Sequence, residues 1–537
     1  MATPSEKLAA SLEILKGLQD KGKIAIKRSE LTRTHKDRLL KNGFISEVYS
    51  GWFIISSPEN NEGDSTSWYS SYWKFCAQYL NYKYKNQWCM SAEQSLMIHA
   101  GNWTVPKQLI IKSPKANNFK TDLPFDTSLF HMKSKLPLKS EVEVLDGLNV
   151  LSLPSALVNA SSNTYLQNAT DMRTALSLVK TSADILNILL TGGQSIIAGR
   201  LAGAFRNIKK DKIADDIIKT MQGVGYDVRA LDPFNDHLNI SFSSKEASPY
   251  ANRIKIMWSD FRKVILEKFP AAPGMPKNIE KFISSVKEIY VTDAYHSLSI
   301  ERYQVTPELI DRVRNGSWNA KDNDGDSKQR DAMAAKGYWD AFQMVEKSIR
   351  KVLTGENAGE VLDNDHGDWY RALFGPSVVS GLLKPADLAG YRNHQVYITN
   401  SMHVPLNSEA VRDAMPVLMG LLAEESEASV KAVLGHFIFV FIHPYMDGNG
   451  RMGRLWQTVI LCQKHQIFEF LPFETLINAN QSEYYKALSM SDKLGKSTPF
   501  IEYMLEVIEK SLSQLLNYNN RTLKETDRLE YFLNLGR

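Results

Sequence analysis

The sequence predicts a mainly α-helical chain whose first half also contains mixed α/β structure. From residue 278 onward apolar residues recur at helical spacing in long segments. Residues 1–58 read as short helices followed by a hairpin, and residues 59–235 as mixed α/β, short strands followed by helices. The composition supports folded domains throughout: of 537 residues, 43% are hydrophobic and 23% charged, which excludes wholesale disorder, collagen and a disulfide scaffold. At roughly 100–200 residues per domain, this length predicts about three folding units.

The first unit, 1–58, begins with Leu8, Leu12, Leu15 and Leu18 at helical spacing. A second short helix is expected from Ser29 and a third from Thr34, with Thr34 as N-cap and Asp37 as its reciprocal partner. Phe44 to Tyr49, the turn Ser50-Gly51 and Trp52 to Ile55 then read as a hairpin. Three short helices and a hairpin make a winged helix-turn-helix. Between Lys21 and Lys41, eight basic residues face two acidic ones, the footprint of a phosphate-gripping surface. Arg33, Lys36 and Arg38 are its candidate contacts to duplex DNA; a solvated helical face is the other reading.

The second unit, 59–235, contains strands near 108–111 and 148–153 and helices from about Asp171. Ser91 to Leu96, the run Gly199 to Arg206, Gly225 to Val228 and Asp232-Pro233-Phe234 resemble the antitoxin-like regulator of the abortive-infection (AbiE) family. Arg200, Arg206, Lys209, Lys210 and Lys212 form a second basic cluster there, also readable as an ordinary helix surface. A linker region, 236–277, follows and holds the strongest breaker cluster, Pro270 to Pro276.

The last unit, 278–537, is expected to be helical except for a small hairpin over 391–404. Its informative string is His443-Pro444-Tyr445-Met446-Asp447-Gly448-Asn449-Gly450-Arg451-Met452-Gly453-Arg454. Gly448 and Gly450 permit positive φ, so backbone N–H groups can line a concavity that opens the next helix, where the dipole favours an anion. Arg451 and Arg454, three apart, lie on one face of that helix and complete a polyphosphate cradle. Asp447 is the candidate ligand for Mg²⁺, and His443 is suited to accept a proton near neutral pH.

This string resembles the Fic family motif His-Pro-Phe-x-Asp/Glu-Gly-Asn-Gly-Arg-x-x-Arg, with Tyr445 as the single departure. The resemblance implies a protein adenylyltransferase that moves AMP from ATP to a Ser, Thr or Tyr hydroxyl of a protein, itself included. His443 is then the general base, Asp447 the metal ligand, Gly448, Asn449 and Gly450 the stabilisers of the transferred phosphate, and Arg451 and Arg454 the β- and γ-phosphate contacts. Val396, Tyr397 and Ile398 correspond to a target-binding flap, and Asn480, Tyr484, Tyr485 and Leu488 to the adenine enclosure. Ser297-Leu298-Ser299-Ile300-Glu301-Arg302 resembles the family's inhibitory helix, with Ser297 and Glu301 as its working residues and Arg302 where Gly or Asn is usual. Two alternatives stand beside this reading: removal of AMP, or transfer of another nucleotide or phosphate group, at the same site, and a DNA-binding, antitoxin-like regulator that uses the Fic domain as a sensor.

Three cysteines, Cys76, Cys89 and Cys462, form no CxxC pair, which suits a reducing cytoplasm. The N-terminus carries no signal-peptide pattern. The longest apolar stretch, 437–442, is far short of the ~20 residues needed to span a bilayer, so no membrane partner is expected.

Overall fold

The structure is a computed structural model that describes residues 3–58, 63–236, 248–268, 278–288, 290–318, 326–399 and 401–461, with a few positions between 483 and 507. The described residues fall into two compact units. One runs to Arg253 and includes Tyr397–Pro405; the other holds Ile254–Val396 and resumes at Leu406.

The first unit opens with α1 (Pro4–Gln19), started by a reciprocal cap in which Thr3 and Glu6 satisfy each other's backbone N–H groups. β1 (Ala25–Lys27), a single 3₁₀ turn at Arg28–Glu30, α2 (Arg33–Lys41), β2 (Ile45–Tyr49) and β3 (Trp52–Ile55) follow. The strands form an antiparallel sheet in the order β1-β3-β2, joined at Gly51 by a turn with φ of +75°. Leu15, Ile26, Leu31, Leu39, Ile45 and Phe53 make its small core. Sequence reading missed β1, because the lysines that flank Ile24 to Ile26 hide a short apolar run. The N-cap of α2 is Thr32 rather than Thr34: its hydroxyl accepts the His35 N–H. The expected helix from Ser29 is only one 3₁₀ turn.

α3 (Thr66–Tyr84) follows and buries Trp68, Tyr72, Phe75 and Tyr79 in a larger core. That core also covers a mixed sheet of β4 (Cys89–Met90), β5 (Gln108–Ser113), β6 (Phe119–Asp122) and β7 (Ser128–Lys133), ordered β4-β5-β7-β6 with β5 and β7 parallel. β8 (Val142–Leu145) and β9 (Leu148–Leu151) pair as a hairpin, and helices occupy most of 153–223. Among them, Ser195–Asn207 packs its Gly199 and Gly203 against the chain at 229–232; a Cβ on either would lie 2.3 or 2.1 Å from a carbonyl oxygen. Met402 joins the core of this unit, and the Val105 N–H donates to the Met402 carbonyl.

The helix Pro249–Lys268 lies inside the segment expected to be a linker. Ile254, Met257, Trp258 and Ile265 are buried along it at helical spacing, which explains its order. In the second unit its Trp258 and Arg262 side chains donate to the buried Glu425 carboxylate. The remaining described elements of that unit are helices: Ile279–Glu288, Tyr290–Ile300, Pro307–Arg314, Asp326–Leu353, Ala358–Val379, Ser408–Glu424, Ala428–Ile442 and Asn449–Leu461, with a 3₁₀ turn at Pro385–Leu388. The mainly α expectation holds. Two glycines let these helices touch: a Cβ on Gly337 would lie 1.9 Å from the Leu373 carbonyl oxygen, and one on Gly359 would lie 2.3 Å from that of Leu422.

The hairpin expected over 391–404 is absent: none of the described residues there is in a strand. A side chain does the work a ladder would have done. The buried Arg392 guanidinium donates to the carbonyls of His394, Leu406 and His443, and the Arg392 N–H donates to the Pro444 carbonyl.

Candidate active site

The helix Ala428–Ile442 is apolar around nearly its whole circumference and therefore buried, as expected of the apolar stretch 437–442. It ends at His443, which adopts a left-handed conformation (φ 55°, ψ 59°) while its N–H donates to the Phe439 carbonyl. A non-glycine residue held there is strained, and Arg392 grips the carbonyls on both sides of the turn. His443 Nδ1 lies 3.2 Å from the Val440 carbonyl oxygen. A carbonyl can only accept, so Nδ1 carries the hydrogen and Nε2 is the basic nitrogen.

The loop 444–449 is closed by Asn449, whose buried amide accepts from the Tyr445 N–H at 2.9 Å and donates to the Tyr445 carbonyl at 3.0 Å. Asn449 thus shapes the loop through both ends of its amide. Tyr445 is buried and stacks on Tyr370, with ring centroids 3.7 Å apart. Gly448 has φ of +76°, and a Cβ there would come within 2.8 Å of Phe374. Gly450 differs from the expectation of a positive φ: it lies in the first turn of Asn449–Leu461. Its missing side chain makes room for a carboxylate, since a Cβ would lie 2.3 Å from Glu301 Oε1.

That carboxylate arrives from Tyr290–Ile300, which packs Tyr290 on Trp339 and Phe342 and receives a 2.8 Å hydrogen bond from the Tyr338 hydroxyl to Asp293. Arg454 donates through Nε to the Ser297 hydroxyl (2.9 Å), and through Nη2 to the Ser297 carbonyl (3.1 Å) and to Glu301 (2.9 Å). Burial pushes the Glu301 carboxyl up, but Arg454, then Arg451 and His443, outweigh it and hold the group below the usual carboxylate range. The anion position at the start of the motif helix is therefore filled by the chain's own carboxylate.

The helix carrying Ser297 ends in a two-bond cap: the Arg302 N–H donates to Ser299 and the Tyr303 N–H to Leu298. Such a cap needs a left-handed residue after the helix, and Arg302 supplies it at φ of 64°. This is the physical reason for the Gly or Asn usual at that place.

Arg451 is also buried. Its guanidinium lies 5.0 Å from the Phe374 ring centroid and 5.1 Å from that of Tyr303, and its Nη2 is 3.5 Å from Asp447. Asp447 itself is exposed and accepts the Gly448 N–H at 2.6 Å. An exposed carboxylate is a hard oxygen donor that fits a magnesium ion taking its other ligands from phosphates and water. No group of three metal-binding side chains occurs among the described residues.

The structure thus brings together His443, Asp447, Gly448, Asn449, Gly450, Arg451, Arg454, Ser297 and Glu301. Sequence reading missed Tyr303, Tyr370, Phe374 and the clamping role of Arg392. The aromatic spacing His366, Tyr370, Phe374 was a usable helical signal, but Gly367, Gly375 and Pro376 punctuate it. Val396, Tyr397 and Ile398 are half-buried to exposed without regular structure, while Tyr484, Tyr485, Asn480, Leu488 and Cys462 lie outside the described residues. In α2, Arg33 is exposed and Lys36 pairs with Asp37. Arg38 is turned onto α1, where it donates to the Lys7 carbonyl and the Ser11 hydroxyl, so it braces the fold. The second basic cluster is spent similarly: Arg200 donates to Ala160, Arg206 pairs with Asp215, and Lys210 donates to Ser177 and Val179.

Among the described residues no helix is long and apolar enough to cross a membrane. A model of the Fic/DOC family matches residues 368–461. Protein adenylyltransferase fic-1 of Caenorhabditis elegans is 29% identical over 142 residues, 26% of this chain and 26% of its own length. Protein adenylyltransferase Fic of Drosophila grimshawi is 26% identical over 289 residues, 52% of this chain and 54% of its own. The matches thus span about a quarter of the first relative and about half of the second. Among solved structures, Fic-1 from C. elegans aligns over 68% of this chain and 96% of its own at 17% identity and a TM-score of 0.35. The 443–454 string falls within the residues that the Fic/DOC family model matches.

Proposed function

We propose that the chain is a Fic-type protein adenylyltransferase restrained by its own Glu301. The observation that carries this reading is the threefold hold of Ser297 and Glu301 on Arg454, with the Glu301 carboxylate seated at the N-terminus of the motif helix. A carboxylate stable in that position marks a site built for anions, and a phosphate would compete for the same arginine and for the space beside Gly450.

In the released state ATP lies with its phosphates along the start of the motif helix. The hydroxyl oxygen of a Ser, Thr or Tyr on a protein attacks the α-phosphorus, the bond to the β-phosphate oxygen breaks, and pyrophosphate leaves. His443 Nε2 takes the hydroxyl proton, because Nδ1 is committed to the Val440 carbonyl. Arg451 and Arg454 hold the β- and γ-phosphates, and the backbone N–H groups near Gly448 and Gly450 stabilise charge on the transferred phosphate. Asp447 is the residue that would hold Mg²⁺, which when bound offsets charge on the phosphates. Val396, Tyr397 and Ile398 would align the target by main-chain pairing. Buried, unactivated thiols at Cys76 and Cys89, the latter pushed up by burial to about 11, agree with a cytoplasmic enzyme.

The test is transfer of radiolabel from α-labelled ATP. Glu301→Gly should raise labelling of the chain or of a partner, and His443→Ala in that background should abolish it. If the native reaction is AMP removal, Glu301→Gly instead loses activity on pre-modified protein.

A second reading concerns the first unit. The β1-β3-β2 order with α2 packed beside it favours a winged helix, and exposed Arg33 and Lys41 on α2 favour duplex DNA. Binding should weaken steeply with salt and drop in an Arg33→Ala/Lys36→Ala variant, whereas binding that ignores salt would contradict it.

A further inference from the structure

The two arginines of the motif helix are held by one short segment in two different ways. Glu301 takes Arg454 through charge and hydrogen bonds. Two residues later, Tyr303 lays its ring on Arg451, with the guanidinium carbon 5.1 Å from the ring centroid, while Phe374 covers the same guanidinium at 5.0 Å. Only 2% of the Arg451 side chain is exposed, and among the described residues its Nε has no hydrogen-bond partner and its one ion pair is with Asp447, at 3.5 Å. With two rings against it and 2% of its side chain exposed, the Arg451 guanidinium is out of reach of an incoming phosphate until one of its covers moves. Phe374 sits within the long helix Ala358–Val379. Tyr303 sits just past the Arg302 cap in a stretch without regular structure, half-buried, and is the cover that can leave. The cap fixes the geometry: the Tyr303 N–H returns to the Leu298 carbonyl, which aims the ring back at the motif helix. The Tyr303 ring also receives the Arg330 guanidinium at 5.1 Å, so it is anchored to the helix Asp326–Leu353 when Arg451 is covered.

We infer that Tyr303 is a second restraint of the inhibitory segment, a positioning residue that withholds Arg451 from a nucleotide's β-phosphate as Glu301 withholds Arg454. This inference rests on the adenylyltransferase reading for the use of the nucleotide, but not for its binding. The chemistry that discriminates is the β-phosphate: ADP has one and AMP does not.

The experiment measures ADP and AMP binding by calorimetry with magnesium present, using the full chain in the Glu301→Gly background so that the first restraint is already removed. Adding Tyr303→Ala should tighten ADP about 3- to 30-fold, the range expected for loss of one cation–π contact, and leave AMP unchanged. Tyr303→Phe, which keeps the ring face, should return ADP binding to the weaker value. Equal tightening of ADP and AMP, no change in either, or weaker ADP binding in Tyr303→Ala would overturn the proposal, as would a Phe variant that behaves like Ala. Failure of the transferase reading is separable: absence of labelling in every variant, with the ADP-selective gain intact, would remove the enzyme assignment and keep the restraint.

Discussion

Arg302 is a residue out of place for its conformation. A side chain at φ of 64° costs roughly 1–2 kcal/mol, and glycine would remove most of that while adding chain entropy to the unfolded state. Arg302→Gly should therefore stabilise the second unit by about 1 kcal/mol, raise its melting temperature by roughly 2–4 °C and lower basal labelling, because the helix that carries Ser297 and the proposed restraint Glu301 is better capped. A calorimetric scan beside a labelling assay checks both; a lower melting temperature would contradict the cap. Glu301 makes a second residue-scale prediction through its titration. Its folded pKa is depressed below 4.5, so the contact with Arg454 is fully present above that value and is lost only as pH falls through the lower folded value. The labelling ratio of Glu301→Gly to the parent should therefore stay constant from pH 6 to pH 8. A ratio that collapses toward one at pH 6 would mean a carboxyl titrating near neutrality. Most of the site was legible at this scale, because loop glycines, a histidine, an aspartate and two arginines form a linear string. Tyr303, Phe374 and Arg392 were not: they reach the string only through tertiary packing, which no spacing rule encodes.

At the scale of elements, the site depends on helices that approach closely enough to aim aromatic rings at the motif. The helices Asp326–Leu353 and Ala358–Val379 meet at Gly337, where an added methyl would overlap the Leu373 carbonyl. Tyr370 and Phe374 stand on the second of these, beside Tyr445 and Arg451. Gly337→Ala should cost about 1–3 kcal/mol, read as a lower urea midpoint, and should reduce labelling in the Glu301→Gly background by displacing those rings. An unchanged midpoint would show that the helices have room to spare. Several helices were legible from periodicity alone, including Ser408–Glu424, Ala428–Ile442 and Asn449–Leu461. Ala358–Val379 was hidden by three interior glycines and a proline, and the 391–404 segment imitated a hairpin because alternation does not reveal whether a strand partner exists.

At the scale of the whole molecule, both units bury neutral histidines. His131 in the first unit lies between the Tyr84 and Thr121 hydroxyls and is pushed down by burial to about 4. In the second unit burial takes His296 to about 4 and His436 to about 3. These folded values lie below the ordinary 6.5, so the stability they confer is complete above pH 6.5 and is lost progressively as pH falls toward 4. Between pH 7 and pH 5 each should cost about 1–2 kcal/mol. Urea melts followed by probes in each unit should show both midpoints falling, and a pH-independent midpoint would contradict the neutral assignments. Net charge, +4 from 64 basic and 60 acidic residues, carried no functional information as an average. The basic clusters it concealed are partly consumed in bracing the fold, whereas Arg451 and Arg454 are buried, Arg454 against Ser297 and Glu301, in a site that we propose the chain itself holds closed. The most direct measurement of that claim is intact-protein mass spectrometry of three forms incubated with ATP and magnesium: parent, Glu301→Gly, and Glu301→Gly/His443→Ala. A mass gain of one AMP on the chain or a co-expressed partner in Glu301→Gly alone is the predicted result; an unmodified Glu301→Gly protein, or modification that survives the loss of His443, would contradict it.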